Sequence, residues 1–296
     1  MKITKVDSYA IANSALVTVT KMNHLVEVQH MDKMNRTCHI QKIDSDRYID
    51  VETGEIREFN KSENRSQNLN SLRQTFKKLR YLINNNFVGA RNELFVTLTY
   101  RGDLQTSDHL KVGKDYDNFL KRLKRHFKAQ TTIDAIRVLE PHASGNWHLH
   151  VLFRFNELEQ VFIPNEELAQ LWGNGFVTIQ SLEDVDNIGA YVSAYLADIE
   201  ITEENMISFL GKELDLKEID GKKYVKGARL PYYKSGVNIF SKTKGIAYPD
   251  RQRMHYQEAK KIVGAATPHY TKSIELADEE NDYFNTITYE QYNLKR

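Results

Sequence analysis

Apolar residues recur along this chain with two different periods, and the switches between them mark its elements. Over Gln67–Asn86, Leu69, Leu72, Phe76, Leu79, Leu82 and Ile83 return every three or four positions, which predicts an amphipathic helix. Arg73, Lys77, Lys78 and Arg80 fall between them and give that helix a basic outer face. Leu94–Tyr100 alternates instead, with Leu94, Val96, Leu98 and Tyr100 on one side and Phe95, Thr97 and Thr99 on the other, as in a strand. Helical spacing resumes over Lys114–Lys128, with Tyr116, Phe119, Leu120, Leu123 and Phe127 inward. Two strands follow, Ile133–Glu140 and Trp147–Phe155, joined by the turn formers of PHASGN. A short helix over 165–172 leads through WGNG to a strand at 176–180, and a further helix runs from about Glu183 to Ile199. Upstream, RYIDVETGEIREF (47–59) reads as two strands turning at Thr53-Gly54.

The order β–α–β–β–α–β–α predicts an α+β fold built on a ferredoxin-like (split βαβ) antiparallel sheet. Helices cover one face of such a sheet, and the other is open for a metal or DNA. The pattern divides the chain into a β-rich N-terminal extension (1–65), a core domain (66–200) and a C-terminal region (201–296). For that last region DNA binding, oligomerisation and helicase recruitment all stay open.

Composition narrows the class of protein. Apolar residues at 41% and charged residues at 27% are ordinary for a globular chain, and 296 residues suffice for a large core. No run approaches the roughly 18 uncharged apolar residues of a membrane span, and MKITKVDSYA has no secretory pattern. The single Cys38 excludes an internal disulfide and any cysteine-based zinc module. These features predict a soluble, cytoplasmic protein with no membrane partner. The net charge of +1 announces no nucleic-acid partner, but its distribution is uneven. KRLKRHFK (121–128) sets Lys121, Arg122, Lys124 and Arg125 on a helix surface, where they either contact phosphates or form a solvated face.

Candidate chemistry gathers in WHLHVLFRF. Trp147, Leu149, Val151, Phe153 and Phe155 form one face of this strand, and His148, His150, Leu152 and Arg154 form the other. Two histidines at i and i+2 point the same way, about 7 Å apart. If even-numbered residues pair across the hairpin, Glu140 joins both imidazoles, whereas a slip of one residue turns it away. Two neutral nitrogens and a carboxylate suit Mn²⁺ or Mg²⁺ acting on a phosphodiester, and could also hold Zn²⁺. Thr97 and Thr99 lie on the same face, within reach of a DNA backbone. Downstream, Tyr191 and Tyr195 sit one helical turn apart beside a core stripe of Val185, Ile188, Val192, Leu196 and Ile199. A phenol attacking phosphorus there leaves a 5′-phosphotyrosine and a free 3′-hydroxyl.

Together these residues resemble the HUH endonucleases, and within them the rolling-circle replication initiators of Gram-positive plasmids and integrative elements. FVTLTY (95–100) is similar to the first motif of that family, His148-Leu149-His150 with Glu140 to the metal motif, and Tyr191-x-x-x-Tyr195 to the two-tyrosine motif. WGNGFVTIQ, KGARLPYY and NIFSKTKGI also look like segments of such proteins. The resemblance implies a metal-dependent, site-specific single-stranded DNA nickase and strand transferase. It would act on origin DNA, with Tyr195 as the initiating nucleophile and Tyr191 as the second. Many relatives carry a lysine between or just after the tyrosines, where this chain has Ala194 and Asp198. That departure keeps open a DNA-binding protein of the same fold that does not cleave. A metal phosphodiesterase acting on a smaller nucleotide is the third reading. A relaxase places its tyrosines before its histidines, and two-tyrosine transposases of the superfamily usually carry a cysteine-rich module, so both fit less well. No P-loop is present, so the resemblance also implies a host helicase as partner.

Overall fold

The computed structural model describes residues 2–7, 9–34, 38–44, 46–59, 69–142, 144–183, 185–200, 216–219, 222–225, 228–234, 236–278 and 283–295. Two compact units emerge: Met1–Ser62 together with Pro249–Arg296, and Glu63–Tyr248.

The first unit begins with β1 (Lys2–Val6), β2 (Leu16–Met22) and β3 (Leu25–Met31). Asn23 makes the tight turn between β2 and β3 with φ +53°, a conformation asparagine tolerates better than most residues. Next come three short strands, β4 (Ile40–Lys42), β5 (Arg47–Asp50) and β6 (Ile56–Glu58), which form a small antiparallel sheet of their own. β5 and β6 are the two strands expected to turn at Thr53-Gly54.

The second unit opens with α1 (Leu69–Asn86) and β7 (Glu93–Tyr100), followed by α2 (His109–His126), β8 (Ile133–Pro141) and β9 (Trp147–Phe155). Then come α3 (Asn165–Trp172), β10 (Gly175–Ser181) and α4 (Ile188–Ala197). Beyond them lie β11 (Ile199–Glu200), β12 (Leu216–Ile219), β13 (Lys222–Val225) and β14 (Phe240–Lys242). The chain then returns to the first unit with β15 (Arg251–His255), α5 (Tyr256–Val263), β16 (Pro268–Asp278) and β17 (Tyr283–Asn293).

In the second unit the main sheet runs β10-β7-β9-β8-β14, with every neighbouring pair antiparallel. The fold is thus α+β with antiparallel sheets. Helix α2 starts earlier than its apolar spacing suggests, because the Asp108 side chain accepts the Leu110 N–H and caps the first turn. Helix α4 is shorter than expected, and Asn187 Oδ1 takes the Ala190 N–H at its start. The WGNG segment has a steric logic. Gly173 closes α3 in the left-handed conformation, and a Cβ on Gly175 would lie 2.3 Å from the Thr99 carbonyl oxygen.

Both faces of this sheet are packed. On one, Phe153 meets Phe119 of α2 edge-on at 6.1 Å, and Trp172 of α3 meets both Phe119 and Tyr100. The other carries His148 and His150, and it is not the bare surface expected from the sequence. Phe95, Ile136, Val138 and Leu152 lie on it and are buried, and α4 sets Tyr191 against Phe95. Four apolar side chains on that face exclude a fully solvated surface.

The division between units also departs from the boundaries at 65 and 200. β14 adds a fifth strand beside β8, so the core unit continues past 200 to Tyr248. β17 pairs with β3, and β15 with β2, so the two ends of the chain build one six-stranded sheet, β1-β16-β17-β3-β2-β15. Local periodicity reports a strand's faces but not its distant partner, which is why these segments read as separate extensions.

Candidate functional site

The β8–β9 hairpin pairs Glu140 with His148 and Val138 with His150, which is the even-numbered register. Its turn closes through the His142 N–H to the Asn146 carbonyl at 2.8 Å, with Gly145 at φ +84°. On the other side of β9, Thr97 of β7 pairs with His150. Glu140, His148 and His150 therefore occupy neighbouring positions at one end of three adjacent strands.

His150 is the most tightly held of these residues. It is buried, its ring stacks on Phe95 at 5.6 Å, and its Nδ1 lies 3.1 Å from Thr97 Oγ1. Its Nε2 meets Glu140 Oε2 directly, while Arg229 pairs with Oε1 of the same carboxylate. Burial alone would raise the Glu140 acidity constant. The hydrogen bond from His150, with the charges of His150, Arg229 and His148, outweighs it and holds the carboxyl at about 2. His148 sits with its ring 4.1 Å from that of His142. Burial, reinforced by His142, pushes its pKa down to about 4. At neutral pH His148 is therefore an uncharged imidazole with a lone pair to offer.

The tyrosine helix reaches this face through one ring. Tyr191 is half-buried and meets Phe95 edge-on at 6.3 Å, so Phe95 touches both Tyr191 and the metal-motif His150. Tyr195 follows one turn later on α4, but its side chain and that of Ala194 lie outside the described residues. Thr97 and Thr99 are half-buried. Thr97 is engaged with His150, while the Thr99 main-chain carbonyl accepts the Trp172 indole N–H at 3.2 Å.

The basic run is placed elsewhere. Helix α2 packs on the opposite sheet face, so Lys121, Lys124 and Arg125 are exposed there and do not adjoin the histidines. Arg122 has a structural engagement instead. Its Nε and Nη2 donate to the carbonyls of Leu171 and Trp172 at 2.7 and 2.9 Å, closing the end of α3. Two residues at the site went unnoticed in the sequence. Arg229 pairs with Glu140 from far down the chain. Phe176 lies opposite Thr99 on the edge strand β10, on the histidine face, and is 68% exposed. The alternation of FVTIQ carried a signal for Phe176, whereas nothing local marked Arg229.

Among the described residues no three histidine, cysteine or acidic side chains form a ready-made ligand shell. Glu140, His148 and His150 are nevertheless the residues whose chemistry suits a divalent ion: one ionised carboxylate and two imidazoles, one of them neutral by burial. Among the described residues no helix is long and apolar enough to cross a membrane. Comparison with curated proteins and with solved structures finds no match. The replication-associated protein ORF2 family matches residues 93–200, the stretch from β7 to β11 that holds Glu140, both histidines and both tyrosines, and this associates the site with DNA replication.

Proposed function

We propose that this chain is a rolling-circle replication initiator of the HUH type, a site-specific nickase and strand transferase for single-stranded origin DNA. The observation that carries the reading is the grouping of Glu140, His148 and His150 on the sheet face against which the tyrosine helix packs, all inside the stretch similar to replication-associated proteins. The strand order β10-β7-β9-β8, fourth-first-third-second along the motif, supports a ferredoxin-like core.

Glu140, His148 and His150 would hold Mn²⁺ or Mg²⁺, which when bound supplies Lewis acidity toward a phosphate oxygen. The chain's own residues supply the rest. Thr97 fixes the His150 ring through Nδ1, leaving Nε2 directed at the Glu140 carboxylate. A tyrosine oxygen, Tyr195 first, attacks phosphorus and forms the P–O bond to the phenol. The bond from phosphorus to the 3′ oxygen breaks, the phenolic proton goes to solvent, and the leaving oxygen takes up a proton as the 3′-hydroxyl. One phosphodiester replaces another, so the reverse step can reseal a strand. Phe176 presents an exposed ring on the same face, on which a base of the single strand can stack.

The test is incubation of the protein with single-stranded circular DNA and Mn²⁺. Linear DNA carrying covalently bound protein at its 5′ end is the expected product. Cleavage without attached protein would favour a phosphodiesterase. Retention of intact circles by the protein would favour the DNA-binding protein that does not cleave.

A further inference from the structure

Arg229 reaches two elements of the site at once. Its Nη1 pairs with Glu140 Oε1 and lies 3.4 Å from the Pro141 carbonyl oxygen, while its Nε points to the Asp198 carbonyl oxygen at 3.3 Å. Glu140 and Pro141 end β8, and Asp198 directly follows α4, the helix that carries Tyr191 and Tyr195. The Arg229 side chain is only 16% exposed, so these partners stand in place of water. Four residues further on, Tyr233 is fully buried and donates its hydroxyl to the Leu196 carbonyl at 3.1 Å. Its ring also meets Phe76 of α1 edge-on at 6.2 Å. The segment from Arg229 to Tyr233 thus grips the last turn of α4 at two carbonyls, and a cation there is favoured by the helix dipole.

We propose that Arg229 is a positioning residue that locks the Glu140 carboxylate and the C-terminal end of the tyrosine helix into one frame. The inference rests on the nickase reading above and extends it to a residue outside the stretch similar to replication-associated proteins. A guanidinium suits the task because its donors are fixed in a planar fork. It holds a carboxylate with one arm and a carbonyl with another, which a lysine's single ammonium cannot do at both ends. Fixing one oxygen of Glu140 also orients the carboxylate toward the imidazole that meets its other oxygen, His150.

The experiment compares full-length Arg229→Met and Arg229→Lys with the wild-type protein. It measures Mn²⁺ affinity by calorimetry, oligonucleotide affinity, nicking rate at saturating DNA, and Tm. Arg229→Met should weaken Mn²⁺ binding by about 10–100-fold, the usual effect of losing a partner that orients a ligating side chain. It should also slow nicking by roughly 100-fold through misplacement of the tyrosines, with oligonucleotide Kd unchanged within about threefold. Arg229→Lys should fall between the two. Mn²⁺ affinity and nicking within about threefold of wild type in both variants would overturn the proposal. A fall in Tm with unchanged Mn²⁺ affinity would also overturn it, since that is a structural role only. If Arg229→Met does not fold, Arg229→Lys decides alone, and wild-type behaviour there is again fatal. A wild-type protein that neither binds Mn²⁺ nor nicks instead brings down the nickase reading, and this inference with it.

Discussion

Glu140 and Glu290 are both nearly sealed from solvent, at 6% and 9% exposed, yet their surroundings differ in kind. Glu140 is met by nitrogen: His150 on one oxygen and the Arg229 guanidinium on the other, with His148 opposite it in the ladder. Glu290, in the unit built from the two chain ends, is met by phenols. The Tyr256 hydroxyl donates to both of its oxygens, and Tyr292 donates to Oε2 at 2.6 Å. Burial, followed by the adjacent carboxylate, pushes the Tyr292 hydroxyl well above the ordinary range. A phenol in that position is a weaker acid than in water and cannot serve as a nucleophile. The Glu290 cluster is a closed polar network that fastens α5 to β17. The Glu140 cluster has the opposite character, with positive charge already gathered around a carboxylate and a neutral imidazole beside it. Burial of a carboxylate therefore does not mark a site; the charge and lone pairs of its partners do.

The largest expected effect separates these two clusters. His148→Ala combined with His150→Ala should lower nicking by about a thousandfold or more, equivalent to about 4 kcal/mol of barrier. Because His150 is buried against Glu140, the same change should also cost about 1–3 kcal/mol of stability, read by denaturant unfolding. Glu290→Gln should reduce stability by a similar amount and leave the nicking rate per folded molecule untouched. If Glu290→Gln abolished nicking while the double histidine variant did not, the assignment of the two clusters would be reversed.

The tyrosines sharpen the contrast by a smaller margin, since either can act. Tyr195→Phe should remove most initial nicking, and Tyr191→Phe should chiefly impair the later strand transfer. Tyr191→Phe keeps the ring that packs on Phe95, so its stability should stay within about 0.5 kcal/mol of wild type. Peptide mapping of the covalent adduct gives the answer directly, and an adduct on Tyr191 alone would invert the order. Tyr292→Phe, by contrast, removes a hydroxyl from Glu290 and should cost about 1–2 kcal/mol without affecting the adduct.

Much of the site could be read in the sequence because it is written in strand alternation. His148 and His150 must share a face whatever the fold, and the apolar opposite face fixed which way they turned. Glu140 needed one further condition, the register of a six-residue turn segment, and the even pairing supplies it. Arg229 was out of reach because its partners lie 88 residues away at Pro141 and 31 away at Asp198. The same limit hid the union of the two chain ends, since the apolar positions of β2 and β3 fit many partners and only the folded sheet selects β15 and β17. The cover on the histidine face could have been foreseen: Phe95, Ile136, Val138 and Leu152 alternate with the polar residues there and require an apolar neighbour.

The smallest expected effect concerns the basic helix, where four residues of one run have two different tasks. Lys121, Lys124 and Arg125 are exposed on α2, on the sheet face away from the histidines, whereas Arg122 is spent on the end of α3. Replacing the three exposed residues by Ala should flatten the salt dependence of duplex binding by up to about 0.9 for each phosphate no longer neutralised. Because α2 does not adjoin Glu140, the nicking rate at saturating DNA should stay the same in that variant. Arg122→Ala should do the reverse, leaving the salt slope alone and costing about 1–2 kcal/mol of stability through two uncapped carbonyls. Binding titrations at several salt concentrations, paired with unfolding curves, separate the two. An unchanged slope in the triple variant would mean that these side chains form a solvated surface and that DNA is held entirely on the histidine face. A lowered slope in Arg122→Ala would mean instead that the guanidinium leaves α3 to meet a phosphate when DNA binds.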